Sequence, residues 1–374
     1  MKNEVRQFKI AEILVDNILT AKYIYDPNHH LHPGGGFRKT EKGWTDVKEK
    51  SNGRGNQKGK GSHPQRSNFS RRLQEEGLRL PAEVSELFHS GSRKLDEGIR
   101  GRLADVLRGE LRTRNRRLRY GHEVFVNPKT GKNVNFYANV DGKTFAECFS
   151  TCHQYLLNGD CVDVHKEEEY EKTKNYLSED GLQGISVTEE GDLISVFSLS
   201  KEPGFLRTVA PLVKKEVRTL DCFESSVQSL AKMYNKVFGF QTASTLDYNK
   251  DFQAADRGKE YADYFEKHYD SPPVHFMVNP DTLDRSKQPN CYNQDGSVKS
   301  VHFGKDDWNG AYYYRKALTD GIEKVSAEIA EQNEDLKYID ITKLSPEERE
   351  KIRNMTPEQL VDFIKFLFSQ KKMT

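Results

Sequence analysis

Apolar positions recur at three- and four-residue spacing near the start of the chain. Val5, Phe8, Ile13, Leu14, Ile18 and Leu19 predict an amphipathic helix within residues 1–27, closed by Asp26-Pro27. Periodicity then stops. Residues 28–75 carry Gly34-Gly35-Gly36 and the Ser51–Ser62 run of Gly, Ser, Asn and Lys. Little there can be buried, which predicts a flexible basic linker. Helical spacing returns over 76–123, with Leu95, Ile99, Leu103, Val106, Leu107 and Leu111 as one stripe. From Val124 the period changes to two. Val124–Val126 and Val134–Tyr137 predict a hairpin about Asn127-Pro128. A helix over 142–157, a short strand at Val162–Val164 and a charged helix over Glu167–Leu177 follow. The clearest strand pair is Gly184–Thr188 with Leu193–Ser198, joined by Glu189-Glu190-Gly191-Asp192. Beyond Pro203-Gly204 the pattern predicts a helix from Phe205 to Lys215, a strand over Val217–Cys222, a helix over about 225–237 stopped by Gly239, and strands at Phe240–Ser244 and Val274–Val278.

Residues 286–374 read as a helical extension. A helix is predicted from Trp308 to Gln332, with Tyr312, Tyr313 and Tyr314 as packing residues. Ser345-Pro346-Glu347-Glu348 and Thr356-Pro357-Glu358-Gln359 are capping boxes with Pro at the first helical position. The last helix is so apolar, from Leu360 to Phe368, that it must be buried on the body or on a second copy, making a homodimer one expected partner.

Charge changes this picture in one place. Residues 1–130 hold 27 Lys+Arg against 16 Asp+Glu, about +11, and the remainder holds 31 against 41, about −10. The basic part ends in Arg112, Arg114, Arg116, Arg117 and Arg119, a candidate contact for nucleic acid or for an acidic protein surface. No apolar run is long enough to span a bilayer, and charges interrupt the apolar residues of the first helix, so no membrane role and a cytoplasmic location are expected. Five cysteines, none spaced as CxxC, suggest reduced thiols. No metal is expected, although Cys148, Cys152, His153 and Cys161, or His29, His30 and His32, are the residues that would hold one.

The order hairpin, Pro-Gly, helix, strand, helix, Gly-aromatic, strand, strand resembles the second half of the GNAT (acetyltransferase-like) fold. The match is carried by Ile185–Phe197, by Met233-Tyr234-Asn235-Lys236-Val237-Phe238-Gly239-Phe240 and by Phe276-Met277-Val278. Thr219-Leu220-Asp221-Cys222-Phe223 resembles a phage and prophage subgroup. The resemblance covers about 150 of 374 residues. It implies an α+β fold, a mixed sheet flanked by helices over 124–285, with the basic, partly disordered arm before it and the helical extension after it.

The resemblance also implies acetyl-CoA as a cofactor, held between two splayed parallel strands with its pyrophosphate on backbone N–H groups at a helix start. Phe197, Ser198, Leu199, Gly204, Phe205, Leu206 and Arg207 are the matching positions. Where the family loop carries a second glycine, this chain has Phe205 or Leu206, and Glu202 adds a negative charge. Tyr234 matches the family's general acid; Asp221 or Glu224 would be the base toward an amine. Cys222 is a less apt nucleophile, with no histidine near it in sequence. Three functions fit: acetyl transfer to an amine, a catalytically silent binding module, or a self-associating structural protein.

Overall fold

The structure is a computed structural model. It describes residues 96–369 except 157–158, 225–228, 333–340 and 342–343, together with the small antiparallel pair Lys39–Thr40 and Gly43–Trp44. The first predicted helix and most of the linker, with His29, His30 and His32, lie outside the described residues.

Nine strands form one mixed sheet. In chain order they are β1 (Gly121–Val126), β2 (Asn133–Ala138), β3 (Thr173–Ser178), β4 (Gln183–Thr188), β5 (Asp192–Ser198), β6 (Thr219–Phe223), β7 (Gln241–Leu246), β8 (Val274–Val278) and β9 (Val301–Phe303). Their order across the sheet is β9-β7-β8-β6-β5-β4-β3-β2-β1. Every pairing is antiparallel except β5 with β6 and β7 with β9. The helices are α1 (Glu97–Leu118), α2 (Gly142–His153), α3 (Glu167–Tyr170), α4 (Phe205–Thr208), α5 (Ala210–Glu216), α6 (Leu230–Phe238), α7 (Lys250–Arg257), α8 (Lys259–Tyr269), α9 (Trp308–Asp320), α10 (Ile322–Gln332), α11 (Pro346–Arg353) and α12 (Pro357–Ser369).

Strand alternation divides the sheet into two faces. One face presents Tyr137, Leu177, Phe197, Asp221, Phe276 and Ser244, as the cross-strand register requires. Its β2–β5 side is covered by α1, α2 and α3, where Phe145, Phe149 and Tyr170 are fully buried. Its β7–β9 side is covered by α9, α10 and α12, in a core that includes Tyr313, Tyr314, Phe363 and Ile364. The opposite face presents Phe136, Ile185, Val187, Leu193, Leu220, Cys222 and Met277 to α4, α5 and α6.

The structure corrects several boundaries. The helix expected over 167–177 stops at Tyr170, and Thr173–Ser178 is a buried strand. Asn175 explains the exchange: its buried side-chain amide donates to the Val140 and Tyr170 carbonyls, satisfying them where the strand enters the sheet. Val162–Val164 forms no strand and follows a short 3-10 turn. Trp308–Gln332 is two helices, broken at Gly321, whose φ of 89° ends α9. The extension is not purely helical, because β9 adds a parallel strand to the sheet. Both capping boxes form. The apolar face of α12 is covered by the chain itself: Leu360, Phe363, Ile364 and Leu367 are buried, and Phe368 meets Tyr313 at 5.2 Å. A second copy is not needed to cover that face.

Candidate functional site

The centre of the sheet opens between its two central parallel strands. β5 and β6 register over only two residue pairs, Asp192 with Thr219 and Leu193 with Leu220. Just beyond, the β4–β5 register slips, setting Ser186 against Ser195 and Val187 against Leu193, so Ile194 is the extra residue of a bulge. A bulge bends its strand, and from this point β5 and β6 no longer register with each other. Among the described residues, the β6 side of Ile194–Ser198 therefore has no strand beside it.

The predicted loop follows β5 and packs against the β1–β2 turn. Gly204 has φ of 95°, a conformation glycine adopts without strain, and it caps α4. Asn127, buried in the β1–β2 turn, donates to the Pro203 carbonyl at 3.0 Å, and the Lys129 stem packs where a Gly204 side chain would go. The amides of Phe205, Leu206 and Arg207 have no acceptor among the described residues, since the first helical bond there runs from Thr208 N–H to the Gly204 carbonyl. Phe205 does not obstruct these amides. Its ring turns into the core and stacks near Phe136. Glu202 is paired with Lys132 at 2.7 Å, and Lys201 with Glu97. Phe197 and Leu199 are core residues; Ser198 accepts a hydrogen bond from the Gln183 side chain at 3.0 Å.

The candidate catalytic groups divide between the two faces. Tyr234, on α6, stacks near Phe238 on the α4–α6 face. Burial raises its phenol pKa, and Cys222 and Asp221 add to the rise, so it is protonated at neutral pH. Asp221 points to the other face. It is set among protein groups yet reached by solvent, with a side chain 51% exposed. Desolvation raises its carboxyl pKa first and Asp192 second, while Arg315 and His165 oppose them. Glu224, the other candidate base, is held by hydrogen bonds of its own. It accepts from Ser229 Oγ and from the Ala231 amide at the start of α6, so it caps that helix. Burial pushes the Cys222 thiol pKa well up. The strand register does place His275 opposite Cys222, a neighbour that sequence spacing could not reveal, but its Nδ1 faces Thr245 Oγ1 at 3.2 Å.

The candidate nucleic-acid arginines also separate. Arg112, Arg116, Arg117 and Arg119 are exposed along the end of α1 and its cap. Arg114 is engaged inside the fold, bonded to Glu110 at 2.7 Å, Thr144 at 2.7 Å and Glu147 at 2.5 Å. Of the sequence's metal candidates, Cys148 and Cys152 are buried, and His153 Nε2 lies 2.7 Å from the Gly159 carbonyl. No group of three or more His, Cys, Asp or Glu among the described residues is placed to hold a metal, and no described helix is long and apolar enough to cross a membrane. Missed by sequence reasoning were Tyr170, whose hydroxyl meets Ser195 Oγ at 2.9 Å, and Arg315 beside Asp221. Their positions follow from tertiary packing, so no local pattern marks them.

No family model, curated protein or solved structure matches the chain.

Proposed function

We propose that the chain is a GNAT-like acetyltransferase of the phage and prophage type, passing an acetyl group from acetyl-CoA to an amine. The observations that carry this reading are the opening between β5 and β6 and, on the segment that follows β5, the Phe205–Arg207 amides with no acceptor among the described residues. Strand order supports it too, since β1 to β8 run in the sequence that a GNAT sheet would have and the central parallel pair falls where the family opens. The residues fit an anionic cofactor: among the described residues three amides are free to donate, and the carboxylates beside the loop, Glu202 and Glu97, are neutralised by Lys132 and Lys201. Acetyl-CoA supplies the activated acetyl carbon and a thiolate leaving group. Asp221, with its raised pKa, takes a proton from the ammonium so that the amine nitrogen can form the new C–N bond. Tyr234 keeps its proton at neutral pH and would be the group to donate it to the leaving sulfur of a bound thioester. The nitrogen would lose its second proton to solvent as the amide forms, and Asp221 would pass its own proton through solvent to Tyr234, so that an ammonium and a thioester give an amide, a thiol and one free proton.

Calorimetric titration of the full chain with acetyl-CoA tests this reading. Saturable heat is expected, and no binding at on the order of 1 mM cofactor overturns it. A second reading, a catalytically silent module that binds nucleic acid, is favoured by the exposed row Arg112, Arg116, Arg117 and Arg119. It predicts salt-dependent binding that flattens when these four become alanine. Absence of binding to a mixed DNA and RNA panel at low salt removes it.

A further inference from the structure

A cation whose Nη1 has no hydrogen bond among the described residues lies at the paired end of the same two strands. Arg315, on α9, is 4% exposed. Its guanidinium carbon sits 5.3 Å from the Phe276 ring centre and 5.2 Å from that of Tyr312. Its buried Nη1 donates to no acceptor among the described residues. Two carboxylates face this nitrogen from beyond hydrogen-bond distance, Asp192 Oδ1 at 3.6 Å and Asp221 Oδ1 at 4.0 Å. A cleft opens here, lined by Asp192, Arg315, Tyr312, Thr219 and Glu190. The other cations along it are already engaged: Lys316 bonds Glu328 at 2.8 Å, and Arg218 bonds Asp320 at 3.1 Å.

Burying a guanidinium nitrogen without a hydrogen bond is costly, and the two rings offset only part of that cost. The arrangement therefore calls for an oxygen acceptor at Nη1. A simple anion is a poor occupant, because Asp192 and Asp221 flank Nη1 and would repel it. A simple cation is equally poor, because it would face Arg315. A molecule that presents an oxygen to Arg315 and, about one carbon away, an ammonium to the carboxylates satisfies both. We infer that Arg315, Asp192 and Asp221 form a binding site for a small zwitterion of the α-amino acid class. The site draws Arg315 from the C-terminal extension and both carboxylates from the central strands. It needs no acyl transfer for its function.

Saturation-transfer NMR and calorimetry on the full chain, with glycine and L-alanine as probes and methylamine and acetate as controls, test the site. Glycine or alanine is expected to bind at millimolar concentration, and each control at least about tenfold more weakly. Arg315→Met, whose side chain fills the space between the two rings, is expected to weaken amino-acid binding roughly ten- to a hundredfold. Arg315→Lys keeps the charge without the planar fork, and a loss of about tenfold is expected, which carries the test if the methionine variant fails to fold. Asp192→Asn, at a partly exposed position, weakens it in the same direction. Equal binding of acetate or of methylamine overturns the assignment, as does binding unchanged in the folded arginine variants or no binding of either amino acid. None of these probes carries a thioester, so failure here leaves the acetyl-CoA titration undecided, and the reverse also holds.

Discussion

Asp221 combines a cost to stability with a use in chemistry. Its carboxyl pKa is raised in the folded chain, chiefly by desolvation and then by Asp192. The unfolded chain releases that proton near the ordinary value of about 3.9. Stability is therefore greatest where Asp221 is protonated in both states, and is lost as pH rises through the folded-state value. Asp221→Asn imitates the neutral acid. It is expected to raise the melting temperature at neutral pH and to leave it unchanged below about pH 4. The same variant is expected to lower the rate of acetyl transfer by about 10²- to 10⁴-fold. A lower melting temperature at neutral pH would show that the charged form is the stabilising one. Arg114 behaves in the opposite way. Burial works against its charge, but the hydrogen bonds and attraction of Glu110 and Glu147 outweigh it and raise the pKa. Arg114→Leu leaves both glutamates without this partner and is expected to cost about 3 kcal/mol in urea unfolding. Exposed Arg116→Ala is expected to stay within about 0.5 kcal/mol of the parent.

The loop before α4 shows how one element positions another. The β1–β2 turn holds it through Asn127 and Lys129, and Gly204 turns the chain where a side chain would meet the Lys129 stem at 3.2 Å. Gly204→Ala is expected to cost about 1–2 kcal/mol, because an alanine at φ of 95° is strained and the lysine must move. It is also expected to weaken acetyl-CoA binding about tenfold, the equivalent of about 1.4 kcal/mol; unchanged stability and affinity would dissociate the loop from the cofactor. Elements of this kind were legible in the sequence to different degrees. The strands Gln183–Thr188, Asp192–Ser198 and Val274–Val278 announce themselves, because apolar runs or alternation end at turn residues. Thr173–Ser178 does not, because it follows a run of glutamates and owes its strand form to contacts made by Asn175. Helices α7 and α8 were equally silent: the buried residues are on α8, Ala262 and the aromatics Tyr261, Phe265 and Tyr269, scattered among charges. Tyr234 and Gly204 could be found from local motifs, whereas the surroundings of Asp221 and Arg315 depend on residues more than 90 positions apart and could not.

Across the whole molecule, the C-terminal extension is a structural part of the sheet as well as a source of Arg315. β9 pairs in parallel with β7, α9 lies across β7 and β8, and α12 packs on α9. Leu360, Phe363, Ile364 and Leu367 of α12 share one core with Phe276 of the central sheet. Each such side chain stabilises the fold by about 1.5–3 kcal/mol through burial. Four together approach the roughly 5–15 kcal/mol that is the net stability of a typical domain. Ending the chain after Met355 is therefore expected to unfold the half that carries β7 to β9. In limited proteolysis, cleavage is expected within 241–332, with residues near β2 to β4 protected longer. A self-associating role for α12 makes a different prediction: the shortened chain stays folded and only its sedimentation mass falls, from dimer to monomer. Buried Phe363 and Ile364 favour the first outcome, because a helix whose apolar face already lies within its own chain has little left to offer a second copy. A folded, monomeric truncated chain alongside a dimeric parent would reverse that assignment.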